Sequence, residues 1–195
     1  IGDVIRTTSI LEGLSEKYSA QKFDWITAAS AKEVLLNNPF IDQIFTWDER
    51  DNLKGYDLVI GLEDDFKACQ LTSSVNSKKV VGAFVRNGRI TYTPSAWFDM
   101  SAISRFGIER ANELKKQNRK TFQQHMAELL GIRVGPYIFN LTQEEIEYGR
   151  KFVKDLGIGK KEKVIGMNTG AGERWRLKEL SIEKTIELVK RLEKD

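Results

Sequence analysis

Asp57-Leu58-Val59-Ile60-Gly61-Leu62 is an apolar run opened by one aspartate and followed at once by Glu63-Asp64-Asp65. A run this short and continuous suits a strand buried on both faces of a parallel sheet, where neither side meets water and alternation is lost. Comparable runs lie on both sides of it, at 23–28 (FDWITA), 44–47 and 79–84. Helical periods separate them. Ile10, Leu11, Leu14 and Tyr18 recur at spacings of three and four, which predicts an amphipathic helix over 4–18. A shorter helix is expected over 31–37, stopped at Asn38-Pro39 because the residue before proline disfavours helical dihedrals. Strand and helix signals alternate roughly every 15–20 residues, the pattern of a doubly wound, Rossmann-like α/β domain.

Beyond residue 85 the alternation is interrupted. Tyr92-Thr93-Pro94 and Ala96-Trp97-Phe98 break up the region 86–120. A helix is expected over 121–130, halted by Gly131. Another starts at Thr142, with Glu145 in capping-box position, and ends around Leu156-Gly157. A new buried strand is expected at 164–167, followed by the glycine-rich turn Asn168-Thr169-Gly170-Ala171-Gly172 and a helix from about Ser181. The polar, glycine-bearing stretch 157–163 is the best boundary, dividing the chain into 1–159 and 160–195. Ile1-Gly2-Asp3 leads straight into a helical pattern, and Arg191-Leu192-Glu193-Lys194-Asp195 ends inside one. The chain is therefore expected to be a piece of a longer protein.

Its 195 residues are enough for a real core, and 41% hydrophobic with 30% charged residues is ordinary for a globular protein. A net charge of +3 is too even to demand nucleic acid or membrane as partner. Cys69 is the only cysteine, so no intrachain disulfide forms and a reducing compartment is favoured. No apolar run approaches the roughly 20 residues that span a bilayer. The expectation is a cytoplasmic protein.

Two places combine suitable backbone with reactive groups. Gly2-Asp3 opens the first helix, where free N–H donors favour an anion. Asp3 is either a general base aimed into a cleft or a helix cap. The second place is the turn 168–172 with Lys178 beyond it, either a phosphate cradle or an ordinary turn. It is not a Walker A loop, since no Gly-Lys-Ser/Thr ends it, and Trp175 occupies the third glycine position of the dinucleotide fingerprint. Glu63-Asp64-Asp65 reads as a solvated or cleft-rim acidic patch. His125, the sole histidine, has no metal-ligand company, and Cys69 reads as structural. Trp25 and Trp47 read as core or cleft wall. The cluster 115–120 reads as a solvated face able to meet an anionic acceptor or lipid head groups.

Taken together, these residues resemble glycosyltransferase family 9, the ADP-heptose:lipopolysaccharide heptosyltransferases. Gly2-Asp3-Val4-Ile5-Arg6-Thr7-Thr8 resembles the family's start of the first helix. Asn37-Asn38-Pro39-Phe40-Ile41-Asp42-Gln43-Ile44 is similar to its N-P-[YF]-[IV]-D segment, and Tyr56-Asp57-Leu58-Val59-Ile60 to its next strand. Ile165-Gly166-Met167-Asn168-Thr169-Gly170-Ala171-Gly172, with Trp175 and Lys178, resembles the turn that opens its nucleotide-sugar domain. The four segments occur in the family's order.

The resemblance implies a GT-B architecture, with an acceptor-side Rossmann-like domain at 1–159 lacking its first strand and the start of a donor domain at 160–195. It implies inverting, metal-independent transfer from an ADP-sugar, with no other cofactor, to a lipid-linked oligosaccharide of the lipopolysaccharide core. The location implied is cytoplasmic, with peripheral contact at the inner membrane face. Asp3 matches the general base, with Gly2 and Thr7 on the acceptor-side loop. Thr169, Gly170 and Ala171 match the turn near the donor phosphates, and Lys178 the lysine that offsets charge on the departing diphosphate. The family's Trp-Pro after that lysine is Leu180-Ser181 here. The strand before Gly2 and a later D-[ST]-G-x-x-H stretch are lacking, so the isolated piece is expected to have no transferase activity. A nucleotide-sugar epimerase of similar shape and a non-catalytic sugar-nucleotide-binding homologue are the alternatives.

Overall fold

The computed structural model describes residues 1–19, 22–101, 106–159, 161–170 and 179–193. Two units make up the chain, Ile1–Gln143 and Glu144–Asp195. The first is a mixed α/β arrangement with open sheets, compatible with a Rossmann-like fold.

It begins with an interrupted helical run. Helix α1 (Gly2–Thr7) passes through a tight 3₁₀ turn at Thr8–Ile10 into α2 (Leu11–Tyr18). The interruption has a local cause. The hydroxyls of Thr7, Thr8 and Ser9 donate back to the carbonyls of Asp3, Ile5 and Arg6, at 2.7, 2.6 and 2.8 Å. Such back-bonding competes with the regular ladder and bends helices.

Strand β1 (Phe23–Thr27) pairs in parallel with β2 (Ile41–Thr46). Between them the expected helix over 31–37 is replaced by two 3₁₀ turns, Ala29–Ala31 and Glu33–Leu35, and Asn37 takes a left-handed φ of 60°. Asn38 precedes Pro39, and the residue before proline disfavours helical dihedrals. In addition, the Asn38 side chain accepts the Phe40 N–H at 3.1 Å, which favours a turn. Trp47, expected at the end of β2, instead opens a 3₁₀ segment whose Glu49 accepts the Thr46 N–H at 2.7 Å.

Strand β3 (Tyr56–Gly61) pairs in parallel with β4 (Ser77–Arg86), and helix α3 (Phe66–Ser74) crosses between them and packs on β4. Asp65 caps α3, accepting from the Lys67 and Ala68 N–H groups. Strand β5 (Arg89–Tyr92) then turns back antiparallel onto β4 through Asn87-Gly88, both at positive φ (53° and 72°). Asn-Gly is the pair that a tight hairpin favours.

Helices α4 (Ala96–Asp99), α5 (Gly107–Gln117) and α6 (Phe122–Leu130) follow. Thr121 and Gln124 form a capping box at the start of α6, and Gly131 ends it at φ 61°. Lys17, from α2, donates to the last α6 carbonyl, Leu130, at 2.6 Å. The main core joins Ile10 and Leu14 to Val81, Met126 and Leu130, with Phe23, Leu58 and Ile60 packed against it. A second cluster gathers Cys69, Ala83 and Phe98. The helical period of the first run and of α6 therefore faces the sheet residues that the apolar runs supply.

The second unit contains α7 (Gln143–Asp155), closed by Gly157 at φ 70°, and α8 (Ile182–Leu192), capped by Ser181, which accepts the Lys184 N–H at 3.3 Å. The strand expected at 164–167 is not formed: these residues have no regular structure, and Val164 and Ile165 are exposed. A strand exists only through pairing, and among the described residues nothing pairs with this one. No described helix is long and apolar enough to cross a membrane.

Candidate functional site

A cavity of about 1010 Å³ opens between the β1–β2 and β3–β4–β5 sheets. Its walls include β1, β3 and the residues just after each of them, such as Ala28, Ser30, Glu63 and Asp64. Helix α1 packs against the 33–35 turn between β1 and β2. Ile1, Asp3, Arg6 and Thr7 all face the cavity.

Asp3 lies in the first turn of α1, where the helix dipole favours a carboxylate. Its side chain is 87% exposed and pairs with the Arg6 guanidinium at 3.1 Å. Arg6 is held from below by aromatic rings. Its guanidinium lies 4.2 Å from the centre of Phe122 and 5.7 Å from that of Trp97, and those rings meet edge to face at 5.0 Å. Thr7 spends its hydroxyl proton on the Asp3 carbonyl. Gly2 has open space where a side chain would stand, so here no close approach requires a glycine. The arrangement is an accessible carboxylate, steered by a cation that is itself fixed on an aromatic pair. Chemically it can accept a proton from a hydroxyl brought to the cavity mouth.

Arg6 escaped sequence reasoning as a site residue, although its i+3 spacing from Asp3 was the available signal. Trp97, Lys115, Asn118 and Phe122 also line the cavity; the first three come from the region that reads as irregular, and Phe122 opens α6. Trp25 and Trp47 are wall residues, as expected. In the acidic run, Asp65 is a helix cap and Asp64 accepts a hydrogen bond from Ser101, while Glu63 and Asp64 border the cavity. Among the described residues no group of three metal-ligating side chains occurs.

His125 is buried, its Nε2 lies 2.9 Å from Asn118 Oδ1, and burial pushes its pKa down. Asn118 Oδ1 also receives the Lys120 N–H, so it acts as an acceptor and the imidazole donates from Nε2. Cys69 is fully buried, and desolvation with the nearby Asp64 and Asp65 raises its thiol to about 11. Both residues are structural.

Thr169 and Gly170 lie exposed in the second unit, where Asn168 Oδ1 accepts the Gly170 N–H at 3.1 Å in a side-chain turn. Ala171 and Lys178 lie outside the described residues. No family model, curated protein or solved structure matches the chain.

Proposed function

We propose that this chain belongs to an inverting, metal-independent glycosyltransferase of GT-B architecture, moving a heptose or related sugar from an ADP-sugar to a lipid-linked oligosaccharide of the lipopolysaccharide core. The observation that carries the reading is the exposed Asp3 carboxylate at the cavity between the two parallel strand pairs. Open α/β sheets bind ligands outside the carboxyl ends of their strands, where the strand order reverses. The four family-like segments, in order, supply the chemistry.

In the proposed reaction the acceptor hydroxyl gives its proton to Asp3 while its oxygen attacks the anomeric carbon. The new carbon–oxygen bond forms opposite the departing diphosphate, the bond to the phosphate oxygen breaks, and the anomeric configuration inverts. Arg6 orients the base. By the family resemblance, Thr169, Gly170 and Ala171 would stand near the donor phosphates, and Lys178 would offset the charge developing on the departing diphosphate.

The test is transfer of radiolabelled sugar from an ADP-sugar by the full-length protein. The Asp3→Asn variant is expected to lose about 10²–10⁴-fold in rate, the usual worth of a general base, while still binding the ADP-sugar. Wild-type protein that binds but never transfers would instead identify a binding module. An Asp3→Asn variant with undiminished transfer would remove Asp3 from the mechanism.

A further inference from the structure

The turn that joins β4 to β5 is built from reactive parts. Asn87 and Gly88 are both exposed and both hold a positive φ, as a tight two-residue hairpin loop requires. Among the described residues, neither the Asn87 carboxamide nor the Gly88 N–H makes a hydrogen bond. The place where a Cβ on Gly88 would stand is open space, so nothing screens its nitrogen. Arg86 and Arg89 are the pair that closes the loop, and both are exposed, so two cations stand beside it.

The other asparagines lack this combination. Asn87 alone is followed by glycine. Asn38 is followed by Pro39, which has no N–H to react. The Asn118 carboxamide is engaged at both ends: its oxygen accepts from Lys120 and His125, and its nitrogen donates to the Lys120 carbonyl. Asn168 Oδ1 accepts the Gly170 N–H. Asn76 is exposed, but the next residue, Ser77, carries a side chain and is held in β4 opposite Tyr56.

We infer that Asn87 is a site of spontaneous covalent modification, turning with water into aspartate and isoaspartate, and that the isoaspartate form releases β5. The Gly88 nitrogen gives its proton to solvent base and attacks Asn87 Cγ. The new nitrogen–carbon bond closes a succinimide ring, the bond from Cγ to Nδ2 breaks, and the departing nitrogen takes a proton and leaves as ammonia. Arg86 and Arg89 favour the negative charge that develops during the attack. Water then opens the ring. Addition at Cγ restores the original main chain and yields aspartate. Addition at the Asn87 backbone carbonyl breaks the main-chain bond there and leaves the chain running through Cβ and Cγ. One water is consumed, one ammonia is released, and nothing is oxidised or reduced.

Isoaspartate adds a carbon to the main chain of a loop whose register depends on its length. The Arg86–Arg89 pair is the first to be lost, and β5 has only four residues. Ile90 and Tyr92 of that strand cover the buried cluster of Cys69, Ala83 and Phe98, with the Tyr92 ring 4.9 Å from that of Phe98. Displacing β5 therefore opens a path to Cys69.

The test stores the folded chain at pH 8 and pH 9 and maps its peptides by mass. Asn87 is expected to convert before any other asparagine, and about tenfold faster at pH 9, because the attacking nitrogen must be deprotonated. Each conversion lowers the net charge of +3 by one, so ion exchange separates products from parent. The isoaspartate fraction should take up iodoacetamide at Cys69. The aspartate fraction should stay unlabelled, as should the Asn87→Gly variant, whose Gly-Gly loop keeps the same length. Conversion at Asn87 no faster than at Asn76 in the same chain would overturn the site. Isoaspartate at Asn87 with Cys69 still shielded would overturn the release of β5. None of these outcomes depends on the reaction proposed for Asp3.

Discussion

Gly61 and Gly82 are cross-strand partners in the β3–β4 pair, and the Gly61 backbone occupies the space that a side chain on Gly82 would need. A Cβ on Gly82 would overlap the Gly61 carbonyl, and a Cβ on Gly61 would overlap the Ala83 carbonyl and the Thr72 side chain. Gly82 also sits at φ 107°, where other residues are strained. Gly82→Ala combines strain with backbone collision and is expected to cost about 3 kcal/mol or more. Gly61→Ala suffers the collision alone and should cost less than Gly82→Ala. Urea midpoints decide it, and an unchanged midpoint for Gly82→Ala would refute the close approach.

The buried imidazole of His125 makes stability depend on pH. Desolvation depresses its pKa below 6.5; Lys120 adds to that and Glu128 opposes it. The faces around it are supplied by Asn118 and Trp97. At pH above 6.5 both folded and unfolded forms are neutral and nothing is lost. As pH falls below 6.5 the unfolded chain takes up a proton that the folded chain resists, so stability declines until the folded pKa is reached. Unfolding midpoints at pH 7.5 and 5.5 should therefore differ more for wild type than for His125→Gln. A difference of equal size in both would assign the pH effect elsewhere.

Cys69 should be chemically silent in the folded protein. It is fully buried, its thiol is raised to about 11, and Sγ donates to the Glu63 carbonyl at 3.4 Å. Only the thiolate reacts. Iodoacetamide at pH 8 is expected to leave the native chain unmodified and to label one site in guanidinium, as read by mass. Rapid native labelling would contradict the packing around α3.

Thr121 closes the capping box of α6, the helix that carries Met126 and Leu130 into the core. Its hydroxyl accepts the Gln124 N–H at 3.3 Å, and Gln124 Oε1 accepts the Thr121 N–H at 2.8 Å. Thr121→Ala is expected to lower stability by about 1 kcal/mol. Thr121→Ser should retain most of it, and the contrast separates capping from simple packing.

The α6 helix was fully legible in the sequence because its start, period and stop are local: Thr121 and Gln124, the apolar spacing, then Gly131. The strands β1, β3 and β4 were legible as apolar runs, but their pairing was not, since nothing in a run says which edge meets which. The same limit misplaces a strand at 164–167: apolar composition qualifies a segment for a sheet but does not supply a neighbour. Strand β5 is a different case. Asn87-Gly88 was a readable hairpin signal, hidden by the expectation that helices and strands alternate. At the candidate site Asp3 was readable from its helix position. Arg6 on its aromatic seat was not, because Trp97 and Phe122 lie 91 and 116 residues away along the chain.

The β4–β5 hairpin also bears on the order in which the sheet is built. Its two strands are joined by two residues, whereas the β1–β2 and β3–β4 pairs must each close a loop of more than a dozen residues before any contact forms. Hairpins close in about 1–10 μs, and parallel pairing is intrinsically slower. The hairpin is therefore expected to be the seed, giving β4 its fixed register before β3 arrives. In pulse-labelled refolding, the amides of Phe84 and Thr91, partners in the hairpin, should gain protection ahead of those that bond β1 to β2 and β3 to β4. Simultaneous protection would mean that the sheet condenses as one unit.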